Sequence, residues 1–111
     1  MKRYQVVFSK KARRQFETEA ARWREGHSKN TYLLEDEVGD AVKVLAATPR
    51  VGGASGDVRL PGARRMVLEK SEFLLYYRVL DDKRVVELLS LWYAKRGSRP
   101  NLSVVGSKSK R

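Results

Sequence analysis

Basic side chains beside aromatic ones are the groups in this chain whose types and spacing could do chemistry. Arg64, Arg65 and Arg78 stand in two β-rich runs, and Tyr93, Lys95 and Arg96 follow the end of a third. Such groups can support RNA cleavage without a metal. They hold RNA so that its 2′-hydroxyl attacks the adjacent phosphate, while the cations stabilise the developing charge. If the chain works this way, Arg65, Arg78 and Arg96 are its catalytic candidates. Basic residues more often simply hold phosphate. On that reading Trp92, Tyr93, Lys95, Arg96 and Arg99 form a target-binding surface, because a rigid apolar strand delivers the cations just beyond its end.

Other chemistries have too few groups. The chain has no cysteine, so it offers no thiol nucleophile, disulfide or thiolate metal site. One histidine, His27, leaves too few soft ligands for zinc and no base for a nucleophilic triad. No metal and no small-molecule cofactor is expected. Asp81-Asp82 reads as a hairpin turn and not as an acid–base pair. Glu17, Glu19 and Glu25 lie among arginines and read as an ion-paired helix face. The loop Thr48 to Gly62 holds four glycines and Pro61 but has no Gly-Lys-Ser/Thr and no following helix. It reads as a flexible connector and not as a phosphate cradle.

The 111 residues suffice for one domain with a single modest core. A formal charge of +11 favours an acidic partner such as nucleic acid, a nucleoprotein or an acidic protein. The charge is unevenly spread. Residues 1–14 and 95–111 each carry six basic side chains and no acidic one, whereas acidic residues gather mostly between Glu17 and Asp40 and between Asp81 and Glu87. No apolar run approaches the length needed to span a bilayer, and MKRYQVVFSKK lacks the pattern of a signal peptide. A cytoplasmic protein without a membrane partner is therefore expected.

The elements that must position the cations follow from periodicity. Tyr4–Phe8 is a short strand, and Ser9 suits an N-cap. Ala12, Phe16, Ala20 and Trp23 recur at helical spacing and predict a helix from Lys10 to Arg24. Leu34, Val38, Ala41, Val42 and Leu45 predict a second helix from Thr31 to Ala47, with acids in its first turns and Pro49 after it. Arg64–Glu69, Phe73–Leu80 and Arg84–Trp92 predict a meander of three strands joined by short polar turns. The fold class is α+β, in the order β-α-α-β-β-β. A helical hairpin packs on one face of a small, mainly antiparallel sheet. The strand after the helices is expected to pair antiparallel to the first. Residues 1–100 make the domain, and 101–111 form a basic tail.

Strict alternation puts Phe73, Leu75, Tyr77 and Val79 on one face of the sheet and Leu74, Tyr76, Arg78 and Leu80 on the other. In the last strand it separates Val86, Leu88, Ser90 and Trp92 from Val85, Glu87, Leu89 and Leu91. Neither strand has a polar face, and one hairpin covers only one side. Leu74, Tyr76, Arg78, Leu89 and Leu91 are therefore expected on a half-apolar open face that binds a protein partner.

Three stretches carry a resemblance: VVFSKKARRQF, LAATPRVGG and FLLYYRVLDDKRVVELLSLWYAKRGSRP. With the order of elements, they resemble the RelE/ParE superfamily of bacterial toxin–antitoxin toxins over about residues 4 to 100. RelE-like members cleave mRNA in the ribosome. They carry paired lysines on the second strand, an arginine on the third, an arginine after the fourth and usually a tyrosine near the C-terminus. Here Arg65 and Val67 stand at the lysine positions, Leu74 at the first arginine, Arg96 at the second and Leu102 at the tyrosine. ParE-like members lack that set and trap DNA gyrase with cleaved DNA; the ending LSLWYAKRGSRP is similar to theirs. The resemblance thus implies a ParE-like gyrase inhibitor, with a RelE-like ribosome-dependent endoribonuclease, acting on the ribosome and mRNA, as the alternative. A basic nucleic-acid-binding module is the third reading. The resemblance further implies a cognate antitoxin, acidic with apolar anchors, on the open face.

Overall fold

The computed structural model describes residues 3–95. Ser9 does start a helix. Its backbone is extended, at φ −64° and ψ 162°, and its hydroxyl accepts the Ala12 N–H at 3.0 Å. Helix α1 runs Lys10–Gly26 and buries Ala12 and Ala20, while Phe16 and Trp23 pack partly buried against the same core. Helix α2 runs Leu33–Ala47 and buries Leu34, Val38, Ala41 and Leu45. Full burial of a leucine such as Leu34 or Leu45 contributes about 1.5–3 kcal/mol.

The strands are β1 (Gln5–Phe8), β2 (Gly53–Ala54), β3 (Arg64–Leu68), β4 (Phe73–Leu80) and β5 (Val85–Tyr93). They form one sheet in the order β1-β5-β4-β3-β2. Three neighbouring pairs are antiparallel. The fourth corrects an expectation: β1 pairs with β5, and in parallel, with Gln5 opposite Val85 and Phe8 opposite Leu88. The helical hairpin returns the chain to the far side of the sheet, so the meander grows inward from β3 and β5 meets β1.

Two further expectations fail. The segment before β3 is not merely a connector. Gly53 and Ala54 pair with Arg65 and Arg64 as an edge strand. The Gly52 N–H donates to the Tyr77 hydroxyl at 2.9 Å. A Cβ on Gly52 would stand 2.5 Å from the Arg65 carbonyl oxygen, so only glycine fits this approach. The alternation of β5 also breaks. Ser90 faces Tyr76 and Leu88 faces Tyr77, which leaves Leu89 as the extra residue of a β-bulge. The bulge reverses the phase. Val86, Leu88 and Leu91 all lie in the core beneath the helices. Leu89 and Trp92 fall on the opposite face with Tyr76, Leu74, Leu60 and Ala63.

Candidate functional site

The end of β5 splits the expected target surface. Trp92 is half-buried in the second-face cluster. Tyr93 is exposed on the helix side, its ring 5.4 Å from that of Phe73. Lys95 follows and pairs with Glu72 at 3.2 Å. Arg96 and Arg99 lie outside the described residues. Trp92 and Tyr93 therefore address different faces, and Tyr93 borders a cleft of about 440 Å³ with Trp23, His27, Ser71, Glu72 and Phe73. His27 stacks on Trp23 with centroids 3.7 Å apart.

The second face is less open than alternation implied. Tyr76 and Leu89 are each only 5% exposed, and Leu60 and Ala63 from the loop before β3 pack with them. Leu74 is half-buried there. Leu91 is corrected outright: the bulge turns it under the helices, where it is buried, and its N–H donates to the Gln15 side chain at 3.0 Å. Arg78 is held across the β4–β5 ladder, its Nε 2.7 Å from a Glu87 oxygen. Glu87 is thus already engaged.

Of the nuclease candidates, Arg65 is exposed opposite Tyr76, and Arg78 lies two residues further along β4. Arg96 is outside the described residues. Arg64 serves the fold, because its guanidinium donates to the Gly52 carbonyl at 2.8 Å and to the Arg50 carbonyl at 3.1 Å. Val67 and Leu74 face each other across β3 and β4. Among the described residues no group of three or more His, Cys, Asp or Glu side chains could hold a metal ion.

Several ordering contacts escaped sequence reasoning. Both Glu37 carboxylate oxygens accept backbone N–H groups of the β3–β4 turn, from Lys70 at 2.8 Å and Ser71 at 2.9 Å. At the opposite end of the sheet, Asp81 accepts from the Tyr4 hydroxyl at 2.6 Å and from the Arg50 guanidinium. The hydrogen bond from Arg50, with that from Tyr4, holds the Asp81 carboxyl below the usual range. The same bond to Asp81 pushes the Tyr4 phenol up. Glu37 is visible in sequence only as one more acid on α2. Its bidentate target on a distant turn leaves no sequence signal.

The family model of the ParE toxin of type II toxin–antitoxin system, parDE, matches residues 6–97. No curated protein matches the chain. Among solved structures, the toxin–antitoxin complex RelBE2 of Mycobacterium tuberculosis is similar at TM-score 0.60 and 26% identity, over 86% of this chain and 97% of that one. The isolated E. coli RelE toxin is similar at TM-score 0.60 and 24% identity, over 85% and 87%. The chromosomal ParDE system of P. aeruginosa has TM-score 0.65 at 18% identity, over 83% and 97%. The last two show the fold alone. Two helices on a five-stranded mixed sheet, a match to the family model across residues 6–97 and these neighbours lead to one statement: the chain belongs to the ParE toxin family of type II toxin–antitoxin systems, within the RelE/ParE superfamily.

Proposed function

We propose that the chain is a ParE-like toxin that inhibits DNA gyrase in the cytoplasm and is neutralised by an acidic cognate antitoxin. The observation that carries this reading is the occupancy of the sheet positions where RelE-like relatives place catalytic cations. Val67 and Leu74 fill two of them with hydrocarbon. The arginine nearby, Arg78, is committed to Glu87, and Arg64 is committed to the carbonyls of residues 50 and 52. Cleavage through a 2′-hydroxyl needs several charges free to meet the phosphate, and of these sheet positions Arg65 keeps an exposed one. Direct inhibition of an enzyme needs only a matching surface. The net charge of +11 suits both an acidic antitoxin and a DNA-bound target. The similarity to RelBE2 of M. tuberculosis keeps the ribosome-dependent RNase as the second reading.

The deciding experiment uses purified full-length protein in two assays. Supercoiling by gyrase should fall, with cleaved DNA accumulating, while mRNA translated on ribosomes stays intact. Codon-positioned cuts in the mRNA with gyrase unaffected would assign the RNase activity instead.

A further inference from the structure

Four of the first five residues of α1 are basic: Lys10, Lys11, Arg13 and Arg14. Its first turn holds no acid, although a helix start already carries partial positive charge. Lys10, Arg13 and Arg14 are exposed. Arg13 rests its guanidinium over the Phe8 ring at 5.6 Å, which fixes its base and leaves its charge at the surface. A separate segment adds to the same field. Arg59, from the loop before β3, lies near enough to Lys11 to act with burial in pushing that amine down. Three carboxylates face this region: Asp57, which Arg59 holds at 2.9 Å, exposed Glu17, one turn along α1, and Glu19, which pairs with Arg22 at 3.2 Å beside the hollow at the end of β5. The patch also runs on to the end of β5, because Arg14 and Thr18 share a surface hollow with Leu91 and Trp92.

Folding accounts for only part of this arrangement. Like charges at the positive end of a helix oppose its stability, and the same chain starts its other helix with acids. Arg13 has its contact with the Phe8 ring. Lys10 and Arg14 are exposed in the first turns with no such contact in view among the described residues. A local rule broken there without an internal gain points to a partner outside the chain. We propose that the face made by Lys10, Lys11, Arg13 and Arg14 binds the phosphate backbone of duplex DNA directly. The choice of DNA over other polyanions rests on the gyrase reading: an inhibitor that traps gyrase on cleaved DNA meets DNA beside the enzyme. The side chains supply point charges at helical spacing, suited to phosphates and not to base edges, so binding is independent of sequence and steeply dependent on salt.

The test measures fluorescence anisotropy of a labelled DNA duplex of random sequence with the full chain, at several salt concentrations. Wild type binds, and its affinity falls steeply with salt. The double variant Lys10→Glu with Arg14→Glu binds about tenfold or more weakly and loses about two from the salt slope. Its melting temperature is unchanged or higher, which a structural role for these residues does not permit. A second double variant, Lys43→Glu with Lys83→Glu, makes the same change of charge elsewhere and keeps the wild-type slope. The inference is overturned if both pairs weaken binding equally, if wild type fails to bind DNA at about 50 mM salt, or if a matched RNA duplex binds more tightly. Gyrase assays on the same proteins separate the two levels. Patch-dependent DNA binding without gyrase inhibition upholds this inference and removes the proposed target. Gyrase inhibition by a chain that does not bind DNA does the reverse.

Discussion

Helix α2 begins with Glu35 and Asp36, buries Leu34, Val38, Ala41 and Leu45, and uses Glu37 to hold a distant turn. Helix α1 begins with Lys10 and Lys11, buries two alanines and keeps a run of exposed cations. Both lie on one sheet face and share one core. The difference is instructive: the named residues of α2 each have a folding role in view, an apolar stripe, acids at the positive end or a clamp. In α1 the stripe, the Ser9 cap and Arg13 on the Phe8 ring have such a role, and the exposed charges of Lys10 and Arg14 do not. Where two helices share a job, the residues that only one of them carries are the ones that need another reason.

The comparison breaks at its strongest point if α2 is not the anchor. Leu45 is fully buried, and replacing it by Ala should cost about 2–5 kcal/mol through the cavity left behind. Urea denaturation would report this, and an unchanged midpoint would mean that α2 does not hold the core. Glu37→Ala should come next, at about 1.5–3 kcal/mol in all, because water at the exposed Lys70 end of the turn restores part of what the two charged hydrogen bonds supply. Hydrogen exchange would sharpen the result, because the amides of Lys70 and Ser71 should lose protection before those of β4.

On the α1 side, Ser9→Ala should cost about 0.5–2 kcal/mol, since the Ala12 N–H loses its acceptor. An equal loss of stability from capping Tyr32 differently is not expected, because Tyr32 makes no side-chain cap to α2. The exit from α2 supplies a smaller effect tied to pH. Arg50 beyond its end binds Asp81, whose carboxyl is held below the usual range. A lowered folded value means that the contribution is present above the ordinary carboxylate range and is lost as pH falls through the folded value. The melting temperature of wild type should therefore drop more on acidification than that of Asp81→Asn. Parallel curves for the two proteins would show that the cluster does not couple to folding.

How much of this is legible in the sequence depends on which residues carry phase. The helices are readable because polar residues separate Ala12, Phe16, Ala20 and Trp23, and again Leu34, Val38 and Ala41, so spacing fixes a face. In β5 almost every residue from Val85 to Trp92 is apolar, and the period of two leaves no trace. The bulge at Leu89 is set by the partner strand, so alternation alone puts Leu91 on the wrong face. Parallel pairing of β1 with β5 is hidden for a related reason: it depends on where the hairpin sets β1, not on the composition of either strand. Arg78 and Glu87 are both visible as charges in strands, but their pairing requires the register. The candidate site is the least legible part, because a cation reads the same in sequence whether it faces solvent, as Arg65 does, or is tied to backbone carbonyls, as Arg64 is.

The smallest predicted effect separates the helices most sharply, because its sign differs between them. Reversing a charge in the first turn of α1, by Lys10→Glu, removes a cation from the positive end of the helix and places an anion there. That change should stabilise the fold by about 0.3–1 kcal/mol. Asp36→Lys makes the opposite change at the start of α2 and should destabilise by a similar amount, about 0.3–1 kcal/mol. Both positions are exposed, so packing contributes little to either result. Salt should shrink both effects, since each arises from charge near solvent. The measurement is the denaturation midpoint of the two variants at low and at high ionic strength. If Lys10→Glu destabilises the protein as much as Asp36→Lys does, the basic start of α1 serves the fold after all, and the asymmetry between the helices carries no functional meaning. If it stabilises, the wild-type lysine is held there against folding, and its use lies in what the surface meets.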